Sequence, residues 1–492
     1  MALRRDDWLD IARKVDWEFR YVDEREVFPE VVSGTPWLPH EAWKDWEEVY
    51  RNTYREYVQN QLVKDESVLA VRDALGKAKI TERLDPAWVQ LAKFHNGAIA
   101  LGEYAACLGE LRMARFGRDS AWRTMANLGA LDEIRHCQIP LLLGQDLLKF
   151  DQNFDWTHKG YHTNEWAMIA ARHLFDDMFT AASAMDTAIQ LTFVFETGFT
   201  NLQFIAMAAM ADGADDHVFE KALASIQTDE SRHAQQGHPV LRTLIENGGK
   251  DYGQYLLEKM WWRSWRIFLA LTGTSMDYLT PLDARKHSFK EFMEEWIMDQ
   301  FLKNLEEFGL KRPWFWDLFV EELDYAHHSF QLGLYTYRPT LWFDEPMPSP
   351  EEREWLCEKY PTWGDTYGPI WDRIEYSWKT KGEAATLPYS LPSLCNMCQL
   401  PTAFMRPGKN TACTLEHGGR KYLFCSEPCR WIFQQQPERF AEHKNVIDRI
   451  FAGEAPTDLG GVLEWMGFGR PDEPGKDLYG GNPPWWKTPA SA

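Results

Sequence analysis

The sequence predicts a mainly α protein: a four-helix bundle set in a larger helical domain, followed by a small Cys-rich module. Three observations lead there. Between residues 88 and 340 apolar residues recur at intervals of three and four, and Pro is sparse. The phrase Asp-Glu-x-Arg-His occurs twice, at 132–136 and at 229–233, each time inside such a helical stretch. Five of the eight Cys fall between residues 393 and 440.

Composition bounds what the chain does. Its 492 residues, 45% hydrophobic, suffice for one large domain and a smaller one. The 24 Trp point to much buried aromatic surface and to large contacts with other chains. A formal net charge of -21 argues against nucleic acid as a partner. The opening "MALRRDDWLDIARKV" lacks the apolar centre of a signal peptide. No uninterrupted run of 18 apolar residues is seen, so no membrane span is expected. The Cys content does not suggest a disulfide scaffold, and a reducing cytoplasm fits better.

In chain order, residues 1–87 read as charged, peripheral helical pieces, and 88–340 as the bundle. Its helices are expected over 87–116, 120–150 (kinked at Pro140), 164–192, 193–211, 214–245, 251–273, 287–309 and 313–336. Residues 341–392 are a connecting segment that begins rich in Pro and turn formers, and 393–440 the Cys-rich module. Residues 441–492, rich in Gly and Pro toward the end, read as an extended C-terminal arm.

The doubled phrase carries chemistry. On a helix, Glu133 and His136 share a face, and so do Glu230 and His233. A Glu-x-x-His on each of two helices is half of a carboxylate-bridged di-iron site; the other half is one Glu from each of two more helices. Glu103 lies 30 residues before Glu133, and Glu196 lies 34 before Glu230. Each gap is about a helix, a turn and a return. Four carboxylates and two neutral imidazoles balance two ferrous ions, and without metal they would be severely penalised in an apolar bundle. The oxygen-rich donor set favours iron or manganese over structural zinc.

The flanking residues suggest a supporting layer. A ligating His commonly donates its second N–H to a carboxylate. Asp132 and Asp229 point about 100° off their ligand neighbours, toward the adjacent helix. A crosswise pairing is expected, Asp229 with His136 and Asp132 with His233, with Arg135 and Arg232 keeping both Asp charged. Glu110 and Asp212 read as ordinary solvated acids.

The set "GEYAACLGE", "DEIRH", "FETGFTNLQF" and "DESRH" resembles the large (α) hydroxylase subunit of bacterial multicomponent di-iron monooxygenases. It is most similar to the four-component toluene, alkene and isoprene monooxygenases, and the resemblance covers most of the chain. It implies a ferritin-like core with two Fe held by Glu103, Glu133, His136, Glu196, Glu230 and His233, Glu230 being the mobile carboxylate. It implies oxygen activation there, with epoxidation of an alkene such as isoprene or propene, or hydroxylation of an arene such as toluene. Thr200 would manage oxygen and protons, and Asn201 and Gln227 match polar positions at the cavity edge. Ile99, Gly102, Ala106, Phe175, Leu191, Phe195 and Phe204 would line an apolar pocket; the first three bracket Glu103 at helical spacing. Gly198 would permit a π-type distortion. Pro140 departs from the polar residue of toluene-oxidising relatives and tilts the reading toward a small alkene.

No nicotinamide, flavin or iron–sulfur motif is visible, so electrons must come from another protein. The resemblance implies a Rieske-type ferredoxin, an NADH reductase, a small effector protein, and β and γ subunits in a dimer of heterotrimers.

Cys395-x2-Cys398 and Cys425-x3-Cys429 offer a four-thiolate site, most simply structural zinc, with Cys413 and His417 as spare donors. "YLFCSEPCRWIFQQQPERF" resembles the YHS or TRASH-type module. The competing reading is a non-oxygenase ferritin-like protein that stores iron or carries a radical. Storage proteins are short chains, and Tyr104 is turned off the face that carries Glu103.

Overall fold

The computed structural model describes residues 52–179, 181–388, 390–402 and 411–468, with residues 4, 6, 20–22, 38–43 and 46 besides. Most of the first 51 positions and residues 469–492 of the expected C-terminal arm lie outside the described residues. The fold is mainly helical, and no helix among the described residues is long and apolar enough to cross a membrane.

After α1 (Tyr54–Lys77) come two helix pairs, each set by its caps. α2 (Pro86–Phe116) starts on Asp85, whose carboxylate accepts from the Ala87 amide at 2.8 Å, with Pro86 in the first turn. It stops at Gly117, where an added Cβ would sit 2.6 Å from the Met113 carbonyl oxygen. Asp119 at once caps α3 (Ser120–Leu147), accepting from the amides of Ala121 and Trp122 at 2.7 and 3.3 Å. The three-residue turn returns α3 antiparallel along α2. Pro140 lies inside α3, which continues beyond it to Leu147.

The helix expected over 164–192 breaks earlier. α4 (Trp166–Phe179) ends, and Ser183 caps a fresh helical start by accepting from the Asp186 amide at 3.2 Å. Ile189–Thr200 then winds as a π-helix and runs into α5 (Asn201–Gly213). Asp216 caps α6 (His217–His233) and also accepts from Trp88 Nε1 at 3.0 Å, tying this pair to α2. The helix expected over 214–245 is interrupted after His233 and resumes at Gly237–Glu246. Gly237 is required: a Cβ there would lie 2.6 Å from the Phe193 nitrogen and from Thr192 Oγ1.

Behind the π segment stands α7 (Lys250–Phe268), with Trp261, Trp262 and Trp265 fully buried. Trp261 stacks on Phe301 at 3.6 Å and meets Phe199 at 4.5 Å. Charge also ties α7 to its neighbours: Asp177 of α4 faces Lys259, Arg263 and Arg439 at 3.1, 2.5 and 2.5 Å. Burial opposes the charge on Asp177, but the three cations hold its carboxyl well below the usual range.

The Cys-rich part holds an antiparallel hairpin, β1 (Cys413–His417) and β2 (Arg420–Phe424), then α8 (Glu427–Gln435). Gly418 and Gly419 turn the hairpin with φ of +57° and +77°. The extended arm expected from 441 is corrected in its described part. Val446–Phe451 and Leu459–Met466 are helical, and Val462, Leu463 and Met466 are buried. These apolar side chains gain more by docking than an arm allows, and Asp458 caps the second helix.

Glu345 yields a pH test of this packing. It is buried, accepts from Gln331 Nε2 at 2.7 Å, and burial pushes its carboxyl from 4.5 up to about 8. The folded state keeps a proton that the unfolded chain releases above pH 4.5, so stability falls as pH rises from 4.5 to 8. Denaturant titrations at pH 5 and pH 8 should show Glu345→Gln gaining on the unsubstituted protein by more than about 1 kcal/mol at the higher pH.

Candidate metal centre and substrate cavity

Glu103 projects from α2, Glu133 and His136 from α3, Glu196 from the π segment, and Glu230 and His233 from α6. The structure brings all six together. His136 Nδ1 lies 3.1 Å from Glu230 Oε1, 3.6 Å from Glu133 Oε2 and 3.7 Å from Glu103 Oε2. His233 Nδ1 lies 3.2 Å from Glu196 Oε2, and its Nε2 lies 3.4 Å from Glu133 Oε1 and 3.7 Å from Glu230 Oε1. Glu133 and Glu230 thus face both imidazoles, while Glu103 and Glu196 each face one.

The donor set fits a pair of metal ions. Both Glu133 oxygens, Glu196 Oε1, Glu230 Oε2, His136 Nδ1 and His233 Nε2 are buried without a hydrogen-bond partner. Such atoms cost free energy unless something cationic meets them. Burial pushes the Glu133 carboxyl well up, helped by the Glu230 charge. Burial likewise raises Glu230 to about 7, against the pull of His233. Burial disfavours charge on His136, but the Asp229 carboxylate at its Nε2 and the nearby carboxylates of Glu103, Glu133 and Glu230 outweigh it and raise its pKa. Protons are thus retained where carboxylates crowd, and two divalent cations would replace them.

Around the six lies a charged layer. His136 Nε2 is 3.3 Å from Asp229 Oδ2, and Arg135 donates to the same oxygen at 2.9 Å. Arg232 donates to Asp132. The Asp132–His233 pairing is corrected: both His233 nitrogens face carboxylates of the centre, and Asp132 is taken up by α1. Tyr57 and Gln61 donate to Asp132 at 3.0 and 2.6 Å. Gln61 and Lys64 also reach Asp229, at 2.8 and 2.5 Å, and Asp65 accepts from Arg135 at 2.6 Å. So α1, expected to be peripheral, packs its Tyr57/Gln61/Lys64 face on this layer. That spacing was a visible signal, but nothing local says which helix it meets.

Glu110 is also corrected. It is wholly buried, and both its oxygens accept from Gln236 Nε2, at 2.9 and 3.0 Å. Burial pushes its carboxyl well up. Seven residues beyond Glu103, it falls on the same inward face of α2, a spacing that could have revealed it. Asp212 is exposed, and Tyr104 is 48% exposed on the outer face.

An apolar cavity of about 100 Å³ opens on the centre. Ile99, Gly102, Ala106, Phe175, Phe195, Phe204 and Thr200 line it, together with Glu103, Glu133, Glu196 and Glu230. Leu191 is corrected: it is buried but does not line this space. Asn201 and Gln227 also lie off the cavity, where Gln227 Nε2 donates to Asn201 Oδ1 at 2.9 Å and to Ser231 Oγ at 2.8 Å. Gln203, Tyr161, Ile267 and Phe268 are lining residues that sequence reasoning missed.

Cys395, Cys398, Cys425 and Cys429 form a second cluster, all buried and none in a disulfide. Cys425 Sγ lies 3.8 Å from Cys398 Sγ and 3.5 Å from Cys429 Sγ. Four converging thiols without a disulfide are suited to one tetrahedral metal ion. Cys413 and His417 stand apart on β1, where burial pushes the Cys413 thiol up to about 12 and His417 pairs with Glu438.

Residues 17–248 match the family described as methane/phenol/alkene hydroxylase, and residues 406–444 match the YHS domain. The chain is 42% identical over 485 residues to the α subunit of the oxygenase component of the alkene monooxygenase system of Xanthobacter autotrophicus, covering 97% of this chain and 96% of that one. It is 28% identical over 467 residues to the oxygenase component of phenol 2-monooxygenase of a Pseudomonas species, covering 91% and 87%. The crystal structure of xenon-pressurised phenol hydroxylase from Pseudomonas sp. OX1 superposes with a TM-score of 0.86 at 26% identity, covering 96% and 97%.

If the six side chains hold metal together, each half needs its imidazole. Elemental analysis of His136→Ala purified from iron-rich medium should find less than about half of the iron bound by the unsubstituted protein, with helical circular dichroism unchanged. Full iron retention would contradict the assignment.

Proposed function

The chain belongs to the family of large (α) oxygenase subunits of multicomponent di-iron monooxygenases, and from that premise we propose that it epoxidises small alkenes such as propene or isoprene. The observation that carries this is a cluster of four Glu and two His, rich in unpartnered donor atoms, opening on an apolar cavity. Likeness along nearly the whole chain to an alkene monooxygenase α subunit supports the substrate class.

Glu103, Glu133 and His136 would hold one iron, and Glu196, Glu230 and His233 the other. Bound iron supplies oxygen activation. The protein's own part is to hold, orient and keep dry. The cavity wall of Ile99, Ala106, Phe175 and Phe204 selects an apolar substrate and excludes water. Asp132, Arg135, Asp229 and Arg232 keep the ligand helices in register through charge-assisted hydrogen bonds. Thr200 Oγ1 is buried on the cavity wall without a partner, so it is free to take or give a proton there. Gln227 donates to Asn201 and to Ser231, which ties the start of α5, next in sequence to Thr200, to α6.

The partners belong to this reading too: β and γ subunits in a dimer of heterotrimers, an effector protein, a Rieske-type ferredoxin and an NADH reductase. The four-Cys cluster would hold a structural zinc ion, and its closed thiolate set leaves no open position. All eight Cys are free of disulfides, which suits the cytoplasm.

Product analysis with propene, isoprene and toluene, using the full component set, tests the assignment. Propene oxide or isoprene epoxide should dominate, in amounts that depend on NADH and oxygen. Thr200→Val should keep its iron but return a smaller share of the consumed oxygen as epoxide. Failure with alkenes and arenes alike would sink the proposal.

A further inference from the structure

One part of the cavity wall is not made by the bundle. Leu400, 2% exposed, comes from the Cys-rich part of the chain yet lines the cavity with Ile267, Phe268 and Leu271. It stands two residues after Cys398, at the end of a tight knuckle. The amides of Met397 and Cys398 donate to Cys395 Sγ at 3.3 and 3.4 Å. The Gln399 amide donates to the Cys395 carbonyl at 3.0 Å, and the Cys395 amide donates to the Leu400 carbonyl at 2.9 Å. Gln399 has φ of +62°, a left-handed turn unusual for a side-chain-bearing residue, and it reverses the chain so that Leu400 follows directly. The direction of Leu400 is therefore set by how the chain folds about the Cys395 sulfur.

A second contact joins the same two places. Trp262 Nε1 donates to Cys429 Sγ at 3.3 Å, and the fully buried Arg266 donates to Glu322 at 2.6 Å. Trp262 and Arg266 lie on α7, whose last residues Ile267 and Phe268 line the cavity. One helix thus meets the thiol cluster with one side and the substrate space with another.

We propose that Leu400 is a specificity-determining residue of the cavity, and that the four-Cys knuckle is the positioning device that sets it. The proposal rests on the cavity being the substrate site. A Leu that merely fills core would lower stability when cut back but would not sort ligands by size. A Leu that bounds the substrate space should do so, because a methyl group more or less in an apolar pocket changes relative affinity measurably.

Equilibrium binding of benzene and p-xylene to the purified holoenzyme, read by calorimetry, tests this without turnover. A protein that fails to epoxidise alkenes would therefore still report on Leu400. Leu400→Ala should strengthen p-xylene relative to benzene by about tenfold, and Leu400→Phe should shift the ratio of dissociation constants the other way. A ratio unchanged in both variants overturns the assignment of Leu400. Cys429→Ser removes one thiol of the cluster, and Trp262→Phe removes the N–H that reaches it together with part of a ring that packs on Phe315 and Arg266. Either should move the same ratio toward that of Leu400→Ala while iron content stays at the unsubstituted level. A ratio unmoved in Trp262→Phe and in any folded Cys429→Ser protein overturns the positioning role of the cluster.

Discussion

Four carboxylates and two imidazoles meet in a dry helical bundle, and the surrounding structure is arranged to tolerate that. Unpaired, such a cluster would cost more than a domain's whole margin of stability. Two ferrous ions would cancel its charge and meet its unpartnered oxygen and nitrogen atoms. The caps at Asp85, Asp119, Ser183 and Asp216 start each ligand helix at a defined residue. The glycines at 117 and 237 let backbones approach where side chains would collide. The outer charges of Asp132, Asp229, Arg135 and Arg232, with Tyr57, Gln61 and Lys64 of α1, bind the helices to one another behind the centre.

The other side of the centre is built from apolar atoms, and the asymmetry is functional. Charge and hydrogen bonds lie behind His136, whereas Ile99, Ala106, Phe175, Phe195 and Phe204 lie in front of the carboxylates. The π segment serves both sides, carrying Glu196 into the cluster and Phe195 and Thr200 to the cavity. Its wider turn is backed by the rings of Trp261 and Phe268 against Phe199. α7 then carries this packing on to the thiol cluster, so that the two cysteine pairs, the aromatic core and the apolar cavity share walls.

Much of the centre was legible because its chemistry is local in sequence. Glu-x-x-His reads as one helical face without knowledge of the fold, and the 30- and 34-residue gaps to Glu103 and Glu196 have only one short helical explanation. What escaped depends on distant neighbours. Asp132 was expected to meet His233 because it precedes the ligand Glu133 and turns toward the adjacent helix; that α1 would claim it instead is set by packing 75 residues away. Glu110 was misread because a charged residue is usually solvated, although its spacing from Glu103 already placed it inward. Leu191 was placed in the pocket by resemblance alone, with no helical spacing to Glu196 behind it, and it is buried in the core instead. Nothing in "CNMCQLP" says that its Leu ends in a cavity formed mostly more than 50 residues earlier.

Anomalous diffraction from crystals of the iron-loaded protein, recorded at the iron edge, tests the central constraint most directly. Two strong peaks are expected, both enclosed by Glu103, Glu133, His136, Glu196, Glu230 and His233, with none at the four cysteines. A single peak, or iron bound outside these six side chains, would contradict the account.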